Sequence, residues 1–245
     1  AHIFRVWREV ARRYAFVEYV VNDPATTEIY TKKSGDEIAG QLYGFTDKGG
    51  REVALRPEMT PTFARMVSER ANALRKPVRW FSIPQLFRYE RSQRGRLREH
   101  FQLNVDIVGE ATELADAELL SVAIDVMREL GLRPSDVRAR VSDRRLLNAL
   151  LDAIGVLEDQ RAAVYAVLDK HARQARTASR QKLVEGGLVP AIADRVLLLP
   201  DARDAEALRR EFSASPAVLP HLDRLTSYFE HLDSLGVRAW VDLDL

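Results

Sequence analysis

Arg88, Arg91, Arg94, Arg96 and Arg98 crowd one short stretch of the sequence, with Glu90 and Glu99 as the only acids beside them. Guanidinium groups this close repel one another unless an anion lies among them, and their planar forks suit bidentate capture of phosphate oxygens. Their charge could also offset negative charge that develops during phosphoryl or nucleotidyl transfer. Neither a GxxxxGK[ST] loop nor a GxGxxG turn is present, so phosphate would be held by side chains instead of a backbone cradle. Other chemistries find less support. The five histidines (His2, His100, His171, His221, His231) show no metal-ligand spacing, and HExxH and GxSxG are both absent. With no cysteine, thiolate metal sites, thiol nucleophiles and disulfides are excluded.

Strand-like runs flank the arginines. Val78–Glu90 and His100–Gly109 are separated by nine residues containing one glycine, Gly95. Alternation along the second run puts Phe101, Leu103, Val105 and Ile107 on one face and His100, Gln102, Asn104 and Asp106 on the other. On the first run Phe87 and Tyr89 oppose Arg88 and Glu90. Arg88, Glu90, Gln102 and Asp106 would then line one polar surface. An antiparallel sheet with one wet face gives the same alternation, so the pattern alone leaves both readings open.

The remaining elements are those that must hold this hairpin. Ile3, Phe4, Trp7, Val10, Ala11 and Tyr14 repeat at helical spacing, which predicts an amphipathic helix. Asp47-Lys48-Gly49-Gly50 predicts a turn joining Leu42–Thr46 to Arg51–Leu55 as a hairpin. Thr60-Pro61 reads as a helix N-cap followed by proline in the first turn. Glu113–Leu130 reads as a helix closed by Gly131, and Val137–Val141 as a short strand. From Asp143 to about His231 the pattern is almost wholly helical, and Arg238–Leu245 is again β-like. Within the helical stretch Lys170, Arg173, Arg176 and Arg180 recur at spacings of three and four, which predicts one basic stripe; a solvated helix face explains it as well.

Composition sets outer limits. The 245 residues are 46% hydrophobic and 30% charged with net charge +1, as expected of a globular chain. A DNA-coating protein would carry a strong basic excess, so any nucleic-acid contact must rest on local clusters. No apolar run approaches the ~20 residues of a membrane span, and the simple expectation is a cytoplasmic location.

Phe87-Arg88-Tyr89-Glu90, the arginine-rich loop and Gly95-Arg96-Leu97-Arg98-Glu99-His100-Phe101-Gln102 resemble motif 2 of class II aminoacyl-tRNA synthetases. The continuation Gln102-Leu103-Asn104-Val105-Asp106-Ile107-Val108-Gly109 narrows the resemblance to the histidyl-tRNA synthetases. Leu55-Arg56-Pro57-Glu58-Met59-Thr60-Pro61 is similar to that family's substrate-binding turn. The resemblance spans nearly the whole chain. It implies an α+β fold, an antiparallel sheet flanked by helices with a helical insertion. The first part of the catalytic core would occupy residues 1–143, the insertion 144–232 and a return strand 233–245. ATP with Mg2+, histidine and histidine tRNA are the implied ligands, and a homodimer the implied assembly. Arg88 would hold the α-phosphate and steady the transition state, Glu90 would meet the adenine edge, and Arg96 the outer phosphates. Glu58, Met59, Thr60, Arg88, Gln102 and Asp106 would surround histidine. Lys170, Arg173, Arg176 and Arg180 would face the tRNA.

The sequence also departs from the family pattern. An RGLDYY-like motif is expected where the chain stops, after Asp242-Leu243-Asp244-Leu245. Motif 3 and an anticodon-binding domain are not seen, nor is the segment before Arg5 that completes motif 1. Val20-Val21-Asn22-Asp23-Pro24-Ala25 lacks the usual proline and acid, and Met59 stands where many relatives have glycine. These departures lead to the expectation of a fragment that binds ATP and histidine weakly and catalyses poorly. A second class stays open: the histidine-binding regulatory subunit of ATP phosphoribosyltransferase, a synthetase paralogue that lacks the anticodon domain. The arginine-rich loop weighs against it, because a subunit that makes no adenylate needs no such cluster.

Overall fold

The computed structural model describes residues 1–21, 25–31, 40–90, 93–202 and 204–245. Arg91 of the arginine cluster and Asn22-Asp23-Pro24 of the divergent motif 1 segment lie outside the described residues. The chain divides into two compact units, Ala1–Ala111 and Thr112–Leu245.

The first unit opens with helix α1 (His2–Arg13), which buries Val6, Val10 and Ala11 and leaves its arginines outside. Strand β1 (Val17–Glu18) follows, and β2 (Ala25–Thr26) joins the hairpin of β3 (Tyr43–Thr46) and β4 (Glu52–Leu55). The expected turn is present. Asp47 Oδ1 accepts from Gly49 N at 2.8 Å and Arg51 N at 2.9 Å, and Gly50 takes φ +76°, a left-handed conformation open to glycine at no steric cost. Helix α2 (Thr60–Glu69) differs from expectation at its start. Met59 occupies the N-cap position in an α-helical conformation, Thr60 is the first helical residue, and no side chain caps the end.

The long strands expected around the arginines are each broken. Val78–Glu90 becomes β5 (Val78–Ser82) and β6 (Gln85–Phe87), interrupted at Ile83-Pro84. The partner run becomes β7 (Glu99–Phe101) and β8 (Asn104–Val108), interrupted at Gln102-Leu103. The breaks are matched: Gln102 N donates to Pro84 O at 3.2 Å, so the pair bends as one ribbon. Proline has no N–H to continue a ladder, which is why the bend falls there. One sheet has the order β1-β5-β8, with β1 parallel and β8 antiparallel to β5, and β6 and β7 pair antiparallel as the arginine hairpin. The sheets are therefore mixed, although the antiparallel pairs dominate this unit.

In the second unit α3 (Glu113–Glu129) ends where Gly131 takes φ +85°, as expected. Strand β9 (Ala139–Val141) leads to Asp143, whose Oδ1 accepts from Arg145 N at 2.7 Å and Leu146 N at 3.1 Å and so caps α4 (Arg144–Ile154). The helical stretch continues through α5 (Arg161–Leu168), α6 (Arg176–Glu185), α7 (Pro190–Val196), α8 (Ala205–Glu211) and α9 (Leu219–Ser234). Leu146, Leu150, Val164, Leu183, Val196 and Leu222 meet in its core. The β-like end begins with a 3-10 turn over Arg238–Trp240, and only Val241–Leu243 forms a strand, β10, parallel to β9. Among the described residues no helix is long and apolar enough to cross a membrane.

The expected basic stripe is not one helix face. Lys170 and Arg173 belong to a 3-10 turn at His171–Arg173 and its flank, and α6 starts afresh at Arg176 after an extended Gln174-Ala175 link.

Because α4 supplies the centre of this helical core, its cap is testable. Asp143→Ala should lower stability by about 1 kcal/mol, while Asp143→Asn should keep most of it. Urea unfolding followed by helical circular dichroism measures both; equal midpoints for all three proteins would contradict the cap.

Candidate active site

The arginine hairpin, the Arg56–Thr60 turn and Asp106 all lie in the first unit. The arginine hairpin is fastened to the Arg56–Thr60 turn by main-chain and side-chain bonds. Phe87 N donates to Arg56 O at 2.9 Å, and Arg88 Nε donates to Pro57 O at 2.9 Å. Arg56 in turn donates from Nε to Gln85 O at 3.0 Å and from Nη1 to Val21 O at 2.8 Å. Arg88 N donates to Arg98 O at 2.9 Å, which extends the hairpin one step beyond the strands. The two segments that sequence reasoning treated as separate motifs thus form one bonded frame.

Arg88 is half-buried, and with Nε committed to Pro57 its two Nη groups have no partner among the described residues. That leaves a fork whose orientation is fixed and whose donors are unspent. Arg96 Nη1 and Glu90 Oε2 form an ion pair at 3.1 Å, with the Arg96 side chain 60% exposed. Arg98 donates from Nε to Glu90 O at 3.3 Å and lies over the Tyr89 ring at 4.4 Å. The crowding of charge is therefore relieved partly by Glu90 and partly by an aromatic face. Tyr89 also meets Tyr43 edge-on at 5.3 Å, and its N donates to Gln41 O at 2.8 Å.

Asp106 stands opposite Trp80 in the β5–β8 register, on the same side of the sheet as Asn104 and Ser82. It accepts no hydrogen bond among the described residues, and burial pushes its carboxyl above the ordinary aspartate range. Gln102 is exposed and lies in the break between β7 and β8, with Nε2 donating to Asn104 Oδ1 at 3.1 Å. Phe101, next to the break, is 48% exposed against the Phe4 ring at 4.9 Å, while Val105 and Ile107 are half-buried. Glu58 is half-buried and Thr60 exposed. The Met59 side chain is only 2% exposed and packs with Tyr19 and Phe63.

Two residues that the sequence did not single out matter to this frame. Arg56 is the clamp described above; the sequence placed it in the Leu55–Pro61 turn without giving it a role. Tyr19 packs on Trp80 at 5.8 Å and Phe63 at 5.6 Å. Its phenol is pushed up to about 12, chiefly by burial, with the nearby Asp106 charge adding to the rise and Ser82 and Arg56 opposing it.

In the second unit Arg176 Nη1 donates to Asp201 Oδ2 at 3.0 Å, and Arg180 Nε to Asp194 Oδ1 at 2.7 Å. Half of the expected basic stripe is thus neutralised within the chain. Lys170 and Arg173 are exposed without a carboxylate partner among the described residues.

Comparison with known proteins places the chain in a family. The family model for histidyl-tRNA synthetase matches residues 20–245. A histidine–tRNA ligase of Opitutus terrae is 38% identical over 247 residues, covering 100% of this chain and 56% of the relative. One from Halobacterium salinarum is 41% identical over 237 residues, covering 97% of this chain and 54% of the relative. The chain therefore spans about half the length of the curated relatives it matches. Two solved structures share the fold over 100% of this chain. The histidyl-tRNA synthetase of Nostoc sp. PCC 7120 has TM-score 0.84 at 18% identity, with 56% of it covered. A Bacillus halodurans protein described as an ATP phosphoribosyltransferase regulatory subunit/histidyl-tRNA synthetase has TM-score 0.82 at 22% identity, with 63% covered. With the family model matched over most of its length, the chain belongs to the histidyl-tRNA synthetase family.

Proposed function

We propose that this chain carries one wall of the active site of a histidine–tRNA ligase, which makes histidyl-adenylate from ATP and histidine and passes the histidyl group to histidine tRNA. The observation that carries the reading is the oriented Arg88 fork, bonded into the same frame as Glu58, Met59 and Thr60. In the activation step a histidine carboxylate oxygen attacks the α-phosphorus. The bond to the bridging oxygen breaks, and its electron pair leaves with pyrophosphate. Charge gathers on the α-phosphate oxygens in that transition state, where the two free Nη groups of Arg88 would meet it.

Arg96 serves the outer phosphates and Glu90 the adenine edge. Their mutual ion pair must open for this, and because the Arg96 side chain is exposed its guanidinium can swing to the phosphates while Glu90 stays in place. Glu58, Met59, Thr60, Gln102 and Asp106 surround histidine, the carboxylates taking its ammonium and imidazole N–H groups. Mg2+ enters with ATP. No three His, Asp or Glu side chains converge to hold a metal among the described residues, so phosphate oxygens and water, with at most one or two carboxylates, would ligate it.

Lys170, Arg173, Arg176 and Arg180 are the tRNA-facing set, the first two already without acidic partners. Residues 1–143 form the first part of the catalytic core, 144–232 the insertion and 233–245 the return strand. The whole protein is a cytoplasmic homodimer.

The full-length encoded protein should show histidine-dependent exchange of pyrophosphate into ATP. Arg88→Gln should lower that rate by about 10²–10³-fold with folding retained. Absence of exchange, together with co-purification of a short phosphoribosyltransferase, would favour the regulatory-subunit reading instead.

Asp106 gives a second prediction. Its carboxyl is raised, so the folded state holds that proton more tightly than the unfolded chain. Stability from this group is complete in acid and lost as pH rises through the folded value, and at neutral pH the buried charge is a cost. Asp106→Asn should therefore raise the thermal midpoint at neutral pH, lose that advantage in acid, and weaken histidine binding at least about tenfold. Calorimetry across pH and histidine titration read these outcomes; a lowered neutral midpoint with unchanged affinity would contradict the assignment.

A further inference from the structure

A cavity of about 440 Å³ lies wholly within Thr112–Leu245, lined by the end of β9, the start of α4, the end of α5 with the turn after it, and Asp244-Leu245 after β10. Arg140, Arg144, His171 and Arg173 give it cationic walls, and Leu147 and Leu168 an apolar floor. Arg140 is already half-answered, since its Nη2 donates to Asp244 Oδ1 at 2.7 Å. Arg144 and Arg173 have no carboxylate partner among the described residues, and Asp169 is the one other acid on the lining.

These groups are held in place. The Arg144 guanidinium lies over the Tyr165 ring at 4.0 Å, and Tyr165 donates its hydroxyl proton to Asn148 Oδ1, which fixes the ring. His171 Nδ1 is 2.8 Å from Leu168 O, so Nδ1 carries the proton and Nε2 is left for another partner. Stability alone does not explain the arrangement. Arg144 and Arg145 open α4, whose first turn contains no acid, and a cation at the positive end of a helix dipole is unfavourable. The N-terminal amides of Arg145 and Leu146 are occupied by Asp143, so an arriving anion would be met by guanidinium forks and not by the helix end.

We propose that this cavity is a second phosphate-binding site, with Arg144 and Arg173 as its principal donors and Arg140 and His171 as auxiliary ones. Two free forks facing one cavity suit the tetrahedral oxygens of a phosphate, monoester or diester alike. The volume lies in the range of small-ligand sites, large enough for a phosphate with part of its attached nucleoside. The expected basic stripe is thereby redistributed. Arg173 leaves it to join Arg140 and Arg144, while Arg176 and Arg180 are answered by Asp201 and Asp194.

The proposal is tested on the 245-residue chain by following the Arg144 and Arg173 Nε–H resonances in NMR titrations with sodium phosphate and, separately, with an RNA hairpin. Either probe should shift both resonances. A response to phosphate alone identifies a small phosphorylated ligand, and a response to RNA identifies a polynucleotide backbone. Arg144→Gln/Arg173→Gln, followed by the backbone amides of Leu147 and Leu168 that line the same cavity, should weaken the responding interaction about tenfold and, for RNA, flatten its salt dependence by about two units, one for each lost contact. Arg195→Gln, which removes an exposed charge elsewhere on the unit, should change neither. The proposal is overturned if neither probe moves these resonances in the unaltered chain, or if the double variant binds as the unaltered chain does. Histidine and ATP are absent from both titrations, so failure here is separate from failure of the ligase reading.

Discussion

The hydrogen bond from Arg88 Nε to the Pro57 carbonyl is the constraint on which the site depends. A guanidinium in free solution presents its donors in every direction and loses side-chain entropy when an anion fixes it. Committing Nε to the Pro57 carbonyl settles much of that entropy during folding and leaves two donors without a partner among the described residues. The Phe87 to Arg56 main-chain bond repeats the link beside it, and the Arg56 side chain locks both segments to Gln85 and Val21. The proposed nucleotide contacts on the hairpin and the proposed amino-acid contacts on the turn are thus held at fixed separation. A reaction that joins a carboxylate to an α-phosphorus requires that separation to be right, since misplacement by an ångström costs rate steeply.

Charge around this frame is balanced in different ways at different depths. On the exposed hairpin, Arg96 pairs with Glu90 and Arg98 rests on Tyr89, contacts weak enough for a ligand to displace. On the sheet face, Asp106 is left half-buried and unanswered. A carboxylate in that state destabilises the free chain and is relieved by a bound cation, the usual signature of a site selected for binding at the expense of stability.

Much of this was legible in the residues, and the failures share a physical cause. The Asp47–Gly50 turn, the end of α3 at Gly131 and the helical character of residues 143–231 depend on local chemistry, and they appear where the sequence places them. The ribbon bend at Pro84 and Gln102 was missed because alternation was followed through a proline that cannot support a ladder. Thr60 failed as a cap because Met59, buried against Tyr19 and Phe63, already begins the helical conformation. The basic stripe failed because spacing cannot register acids that return from 14 and 25 residues away, as Asp194 and Asp201 do. Motif identity located the hairpin and the turn. Only the fold revealed that Arg56 and Arg88 bond them to each other.

The most direct test of that joint frame is a titration of the chain with Mg-ATP, followed by backbone amide NMR. If hairpin and turn act as one unit, amides of Arg56, Glu58, Met59 and Thr60 shift in step with those of Arg88 and Arg98, at one apparent dissociation constant. Arg88→Ala should abolish the response in the turn. Shifts confined to the hairpin, or a turn that responds unchanged in Arg88→Ala, would contradict the account.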